Sequence, residues 1–252
     1  MLAPGGWMRQ DESSRPRPVP GAAARSLHSP ARRPDRPATF QQFIGAMNDD
    51  VIPPPEEDSF RTQFWVKRWE REKLPWDLGH IPPNLVSFLS RTGIAPARVL
   101  IPGCGSGYEV QAFHAAGYDV EAIDFSAPAV AHARQVLGPL GERVIHGNFF
   151  KHDFAGKRYS LIYERGFLCS FAPSHWPEYA ARMAGLLLPG GRLVGLFLYG
   201  NEPEPPPYPL CDATAAGLFG GSFRLVQTET GATDSVPVYQ GMERWQEWEL
   251  QG

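Results

Sequence analysis

Cysteine is scarce, long apolar runs are missing and net charge is small in this chain of 252 residues, and each shortage excludes something. The three cysteines, Cys104, Cys169 and Cys211, are odd in number and irregularly spaced. They form no C-x-x-C pair and have no histidine at zinc-ligand spacing, so neither a disulfide framework nor a cysteine-based metal site is expected. Such usage suits a reducing, cytoplasmic setting. No apolar stretch approaches the ~18 residues of a membrane span, and the N-terminus lacks the apolar core of a secretory signal. A formal charge of −3 offers no basic field for nucleic acid or an anionic membrane. A small-molecule partner and a monomeric chain are the expectation.

Proline and arginine are abundant but uneven. Seven arginines and many prolines fall between Met1 and Thr39, and Val51-Ile-Pro-Pro-Pro-Glu-Glu-Asp58 follows. Proline denies such a stretch regular hydrogen bonding, and its few large apolar residues cannot offset ordering entropy. Residues 1–58 therefore read as a disordered leader and residues 59–252 as the folded domain. A transit peptide is the weaker reading, because prolines spoil an amphipathic helix. Translation from Met47 is a third.

Order is expected from Ser59, a helix N-cap ahead of Phe60, Phe64, Trp65 and Trp69, with that helix ending by Pro75. A second helix should follow Pro82-Pro83 with Leu85, Val86, Phe88 and Leu89 inward. Then the chain alternates. Strands are expected at 99–101, 120–123, 143–146, 159–163 and 192–199, and helices at 106–116, 126–137 and 175–188. That alternation predicts an α/β, Rossmann-like, mostly parallel sheet with helices on both faces. Ser222–Val226 and Arg244–Leu250 have no convincing helix between them and read as an antiparallel terminal pair, completing seven strands.

Within this frame, Arg98-Val-Leu-Ile-Pro102 runs directly into Gly103-Cys-Gly-Ser-Gly107, and Asp124 ends the next apolar run. A strand, a glycine turn and a helix bring backbone close to a ligand, and an acid about 20 residues on is placed for ribose hydroxyls. A dinucleotide fingerprint, G-x-G-x-x-G, would require glycine at Tyr108. The G-x-G-x-G form resembles that of methyltransferases dependent on S-adenosyl-L-methionine. An ordinary turn is the bland alternative, and an NAD-dependent oxidoreductase a disfavoured one.

Seven segments in order resemble the thiopurine S-methyltransferase family. They are Phe64-Trp65…Trp69…Pro75-Trp76-Asp77, Ile101-Pro-Gly-Cys-Gly105, Ile123-Asp-Phe-Ser126, Gly147-Asn-Phe-Phe150, Tyr163-Glu-Arg-Gly166, Leu188-Pro-Gly-Gly191 and Pro206-Pro-Tyr208. The tryptophans and Pro-Gly-Cys-Gly are similar to its thiol and halide methyltransferase branch, and Glu-Arg-Gly to the thiopurine branch. The resemblance spans Phe64 to Leu250. It implies a class I methyltransferase that moves a methyl group from S-adenosyl-L-methionine to a small thiol or soft anion such as a halide. A metalloid oxyanion acceptor and a non-catalytic cofactor-binding module remain alternatives.

The resemblance also implies a set of site residues. Trp65 and Trp69, one helical turn apart, and Trp76 would surround the sulfonium, since a desolvated cation favours aromatic faces; core packing is the alternative. Gly103 and Gly105 would pass beside the methionine and ribose, with Asp124 holding the ribose or merely flanking a helix. Asn148 and Phe149 would meet the adenine. Asn148 departs from the commoner Asp, and Phe149 could instead be core. Arg165 would line both cofactor and acceptor sites, where its permanent charge could meet a thiolate; a surface ion pair with Glu164 is the competing reading. Tyr208 would belong to a lid over the acceptor that excludes water. Cys104 and Cys169 read as small buried hydrophobes, because direct methyl transfer needs no enzyme nucleophile. No metal is expected.

Overall fold

A computed structural model describes residues 58–200, 206–231, 234–239 and 241–252, apart from the side chains of 58–62 and 238. Residues 1–57 of the expected leader lie outside what is described, and the first helix already includes Asp58, one residue ahead of the expected Ser59 cap. Helix α1 (Asp58–Glu70) and α2 (Pro83–Arg91) precede β1 (Arg98–Pro102), α3 (Tyr108–Ala115), β2 (Asp119–Asp124), α4 (Ala127–Leu137) and β3 (Val144–His146). Then come β4 (Tyr159–Arg165), α5 (Trp176–Leu186), β5 (Leu187–Leu198), α6 (Asp212–Phe219), β6 (Phe223–Thr230) and β7 (Glu243–Leu250).

One seven-stranded sheet has the order β3-β2-β1-β4-β5-β7-β6. β1 to β5 pair in parallel, and β7 runs antiparallel to both β5 and β6. The terminal pair expected from the sequence therefore exists, with the last strand inserted inside the edge rather than forming it. α6 lies ahead of that pair, in a stretch for which no element was expected, while no α-helix lies between its two strands among the described residues. Its run Asp212-Ala-Thr-Ala-Ala-Gly-Leu-Phe219 carries little periodic contrast, with Ala215 and Phe219 as its buried residues. Val86 is a correction. It stands 54% exposed while Leu85 and Phe88 are fully buried, because a nine-residue helix presents one narrow stripe to the sheet.

Period-2 alternation divides the core. Leu100 and Ile162 pack on one face with Tyr179 and Met183 of α5 and Phe219 of α6. Val99, Ile101, Leu161 and Tyr163 pack on the other with Phe88 of α2, Phe113 of α3 and Val130 of α4. Continuing along β4, Glu164 falls on the first face and Arg165 on the second. A smaller cluster, Cys169, Leu198, Val236 and Tyr239 with Phe64 and Trp76 against it, lies apart from both.

Candidate active site

A cleft lies at the carboxyl ends of the parallel strands, where chain order reverses between β1 and β4, the place where open α/β sheets take ligands. Its first half is built mainly from backbone. Gly103, Gly105 and Gly107 all have left-handed φ, at +59°, +52° and +74°. Gly103 is constrained twice: a Cβ there would come within 2.3 Å of the Phe167 ring. The turn is fastened to β2 because the Cys104 N–H donates to the Ile123 carbonyl at 3.3 Å. Asp124 completes the fastening, its Oδ2 accepting from the Gly105 N–H at 3.1 Å and its Oδ1 from the Ser126 N–H at 2.9 Å. Burial raises its carboxyl pKa, while these hydrogen bonds act in the opposite sense. A carboxylate has about four lone-pair sites, so both oxygens keep capacity for ribose hydroxyls.

Aromatic side chains close this half. Trp65, Trp69 and Trp76 all line the cleft, and Trp65 meets Trp76 edge-on with centroids 5.1 Å apart. A Cβ on Gly105 would lie 3.5 Å from Trp69. Asp77 accepts from the Ser106 hydroxyl and from the Gly79 N–H at 2.7 Å, tying the tryptophan loop to the glycine turn. Asn148 and Phe149 line the cleft beyond β3. Asn148 is exposed, and its amide oxygen already accepts from the Phe150 N–H at 2.9 Å. Phe149 is both cleft wall and core, with its ring 5.4 Å from Phe167.

The second half is made of charged and phenolic side chains. Arg165 lines the cleft, and its Nη2 donates to the Trp76 carbonyl at 3.3 Å. Its Nε is buried and has no hydrogen-bond partner among the described residues, and the same holds for the Tyr163 hydroxyl. Burial lowers the Arg165 pKa, but Glu109 leads a set of neighbours that outweigh it, so the net shift is upward and the guanidinium stays charged. Glu109, in the first turn of α3, and Glu243, the first residue of β7, are buried carboxylates on the same cleft. Both have pKa values raised by burial and moderated by Arg165.

Glu164, by contrast, turns away from the cleft and forms no ion pair with Arg165 among the described residues. It is 1% exposed and accepts from the Phe167 and Leu168 N–H groups at 2.8 and 3.0 Å and from the Tyr179 hydroxyl at 2.6 Å. Its carboxylate fixes the loop that carries Gly166 and Phe167, and burial pushes its pKa up to about 7. The surface-pair reading fails because adjacent strand residues face opposite sides.

Tyr208 is placed differently from the expectation. Its N–H donates to the Cys169 carbonyl at 2.7 Å, and its ring packs on the core cluster of α5 and α6; Pro207 lines the cleft instead. The backbone here is pinned to the loop after β4, which directs the ring inward. Cys104 and Cys169 are buried, and burial drives both thiols far above their usual pKa, as expected of non-nucleophilic cysteines. Sequence reading missed Glu109, Tyr163, Tyr239 and Glu243 as cleft residues. Glu109 carried one signal, an acid directly behind the glycine turn. Glu243 carried none that separates it from Glu247, which is equally buried but bound by Arg91, Arg192 and Trp245.

S-Adenosylmethionine fits this donor set. A left-handed glycine turn, a buried carboxylate with spare lone pairs, three tryptophans and buried acids suit a ribose and a sulfonium together. No group of His, Cys, Asp or Glu among the described residues could hold a metal ion, and no described helix is long and apolar enough to cross a membrane.

Comparison with known proteins gives the same family as the motifs. A probable thiol methyltransferase 2 of Arabidopsis thaliana is 36% identical over 150 residues, 57% of this chain and 66% of that protein. Thiocyanate methyltransferase 1 of the same plant is 30% identical over 211 residues, covering 79% and 92%. Among solved structures, the 1,6-didemethyltoxoflavin-N1-methyltransferase of Burkholderia thailandensis, with 1,6-didemethyltoxoflavin and S-adenosylhomocysteine bound, has a TM-score of 0.65 at 20% identity. It covers 79% of this chain and 91% of that one, a likeness of fold. The family model for thiopurine S-methyltransferase (TPMT) matches residues 60–249, and the chain accordingly belongs to that family of S-adenosylmethionine-dependent methyltransferases.

Proposed function

We propose that the acceptor is a small-molecule thiol, thiopurine-like or simpler, or a soft anion such as a halide. The observation that carries this reading is the buried Arg165 guanidinium, charged and with Nε unpartnered among the described residues, on the cleft wall beside the tryptophans. A fixed cation in a dry site stabilises a thiolate or a comparable soft anion, and the cost of desolvating it is already met by Glu109 and Glu243. The thiol and thiocyanate methyltransferases among the relatives support the same acceptor class.

The cofactor, when bound, supplies an electrophilic methyl group on a sulfonium. Asp124 and the glycine turn would hold its ribose, Trp65, Trp69 and Trp76 its sulfonium end, and Asn148 and Phe149 its adenine. Trp76 and Arg165 are joined through the Trp76 carbonyl, so the aromatic wall and the cationic group are aligned together. Alignment and water exclusion are the contributions required, because a displacement in line needs no covalent enzyme intermediate. Tyr163 and Phe167, buried beneath Arg165 and the glycine turn, keep the floor dry.

A methylation assay across aromatic thiols, thiopurines, hydrosulfide, iodide and selenite tests the reading. Turnover of one or more thiols is expected. Binding of S-adenosylhomocysteine with no turnover of any acceptor would instead identify a non-catalytic module, and turnover of selenite alone a metalloid methyltransferase.

A further inference from the structure

The two halves of the cleft carry different charges. Gly103–Gly107, Asp124 and Asn148, from the turns after β1, β2 and β3, take up one end. The other end draws on β4 and the segments flanking β5 and β7, which contribute Tyr163, Arg165, Cys169, Pro207, Tyr239 and Glu243. Among the described residues this second end has one cation, Arg165. Against it stand Glu243 and, next to the glycine turn, Glu109 and Asp77. Two buried polar atoms on this wall, the Tyr163 hydroxyl and Arg165 Nε, have no hydrogen-bond partner among the described residues. Buried polar groups are rarely left so unless a ligand or water completes them. A wall with more carboxylates than cations repels an acceptor that arrives as an anion, yet it holds a proton acceptor ready for one that arrives neutral.

We infer that Glu243 is the general base for the acceptor, so that the protein takes neutral thiols as its substrates and favours them over ready-made anions. This inference rests on the acceptor class proposed above and narrows it. Glu243 Oε2 accepts from the Ser235 hydroxyl, which fixes the carboxylate at the cleft wall. The acceptor S–H bond breaks, its proton going to the Glu243 carboxylate and its electron pair remaining on sulfur as a thiolate beside Arg165. The thiolate sulfur then forms its bond to the methyl carbon as the methyl–sulfonium bond of S-adenosylmethionine breaks, the electron pair of that bond staying on the S-adenosylhomocysteine that leaves. The carboxyl proton passes to solvent as the methylated thioether departs. One proton is released for each thiol methylated. An iodide or thiocyanate ion has no proton to give, so Glu243 offers it only repulsion.

Groups facing Glu243 come from every neighbouring element: Arg165, Tyr163 and, further along the wall, Glu109; Cys169 after β4; and Ser235 and Tyr239 ahead of β7. Arg165 is the cation among them and favours the ionised carboxylate. Burial opposes it, which moves the titration of Glu243 upward and leaves a better base than an exposed glutamate would be.

Glu243→Gln tests the role, with an aromatic thiol and iodide measured on the same preparation from pH 5.5 to 9.5. Below the thiol's own pKa, the ratio of thiol to iodide kcat/KM should fall at least about tenfold relative to the parent, a modest share of what a general base contributes. Above that pKa the thiolate forms unaided, and the deficit should close. S-Adenosylhomocysteine affinity, read by calorimetry, should hold within about threefold if the fold is retained. A ratio within about twofold of the parent at all pH values overturns the inference, as does a loss that does not depend on pH. Should the Gln variant lose S-adenosylhomocysteine binding, Glu243→Asp carries the test. Reduced thiol turnover with the acidic limb of the pH profile intact supports the base, and a flat profile overturns it. A parent enzyme that methylates neither thiols nor iodide removes the acceptor class and this inference with it. Efficient iodide methylation with inert thiols removes the inference alone.

Discussion

Glycine turn and acceptor wall sit side by side at the ends of the paired strands β1 and β4, yet they are built by different means. Around Gly103–Gly107 the work is done by backbone: three left-handed residues, a Cys104–Ile123 hydrogen bond and an Asp124 carboxylate accepting two N–H groups. Opposite it, Tyr163 and Arg165 come from β4, Tyr239 from the turn ahead of β7 and Glu243 from β7, and burial raises or offsets each of their titrations. Backbone geometry constrains residue type tightly, since few residues tolerate φ near +55°. Side-chain walls do not, because many residues fit a strand end. One half is therefore fixed mainly by backbone geometry, and the other, built from side chains, is where the proposed acceptor site lies.

The largest test of this contrast is Asp124→Ala. Two buried N–H donors lose their acceptor, at about 1–3 kcal/mol each, and the glycine turn loses its tie to α4. S-Adenosylhomocysteine affinity should drop about a hundredfold or more, measured by calorimetry. Unchanged affinity would mean that the first half is not held as described. Arg165→Met should act on the other half, lowering kcat/KM for a thiol roughly ten- to hundredfold and cofactor affinity much less. Because Glu109 and Glu243 would lose their cation, a fall in melting temperature should accompany it. Efficiency within about twofold of the parent would take Arg165 off the acceptor wall.

Glu164 sharpens the comparison from below the site. Its pKa is about 7 in the fold against an ordinary 4.5, so the folded state binds more protons between those values. Stability from this group is therefore full below about pH 4.5 and declines as pH rises to about 7. Relative to the parent, Glu164→Gln should gain stability across that window, by at most ~3 kcal/mol, and then level off. Chemical denaturation at several pH values measures this, and a pH-independent difference would show that Glu164 is ionised throughout. The smallest effect should be that of Cys169→Ala. A thiol buried and held protonated takes no part in an in-line transfer, so turnover should stay within about threefold while stability falls by about 1 kcal/mol.

Much of this was legible in the residues themselves. Short apolar runs of three to eight residues between amphipathic helices, one of them bounded by Ser126 and Gly138, specify a parallel sheet because each pattern satisfies only one backbone geometry. The glycine turn and Asp124 were legible for the same reason. α6 was not, since a run of alanine and glycine has no face until something packs on it. Tyr208 was not, because its orientation depends on the Cys169 carbonyl, 39 residues away in the chain.

Glu164 and Arg165 mark the limit most clearly. Their adjacency is written in the sequence, and alternation says that they face opposite sides. Which side holds the cleft and which the core was decided by the packing of α5, whose Tyr179 hydroxyl meets Glu164. Likewise Glu243, Glu247 and Glu249 are one repeating pattern along β7 until Arg91 and Arg192 claim the second, Arg192 and Arg224 the third, and the cleft is left with the first. Local preference is a property of a residue and its neighbours in the chain. The charge and reactivity of a buried group belong to whatever the fold brings against it.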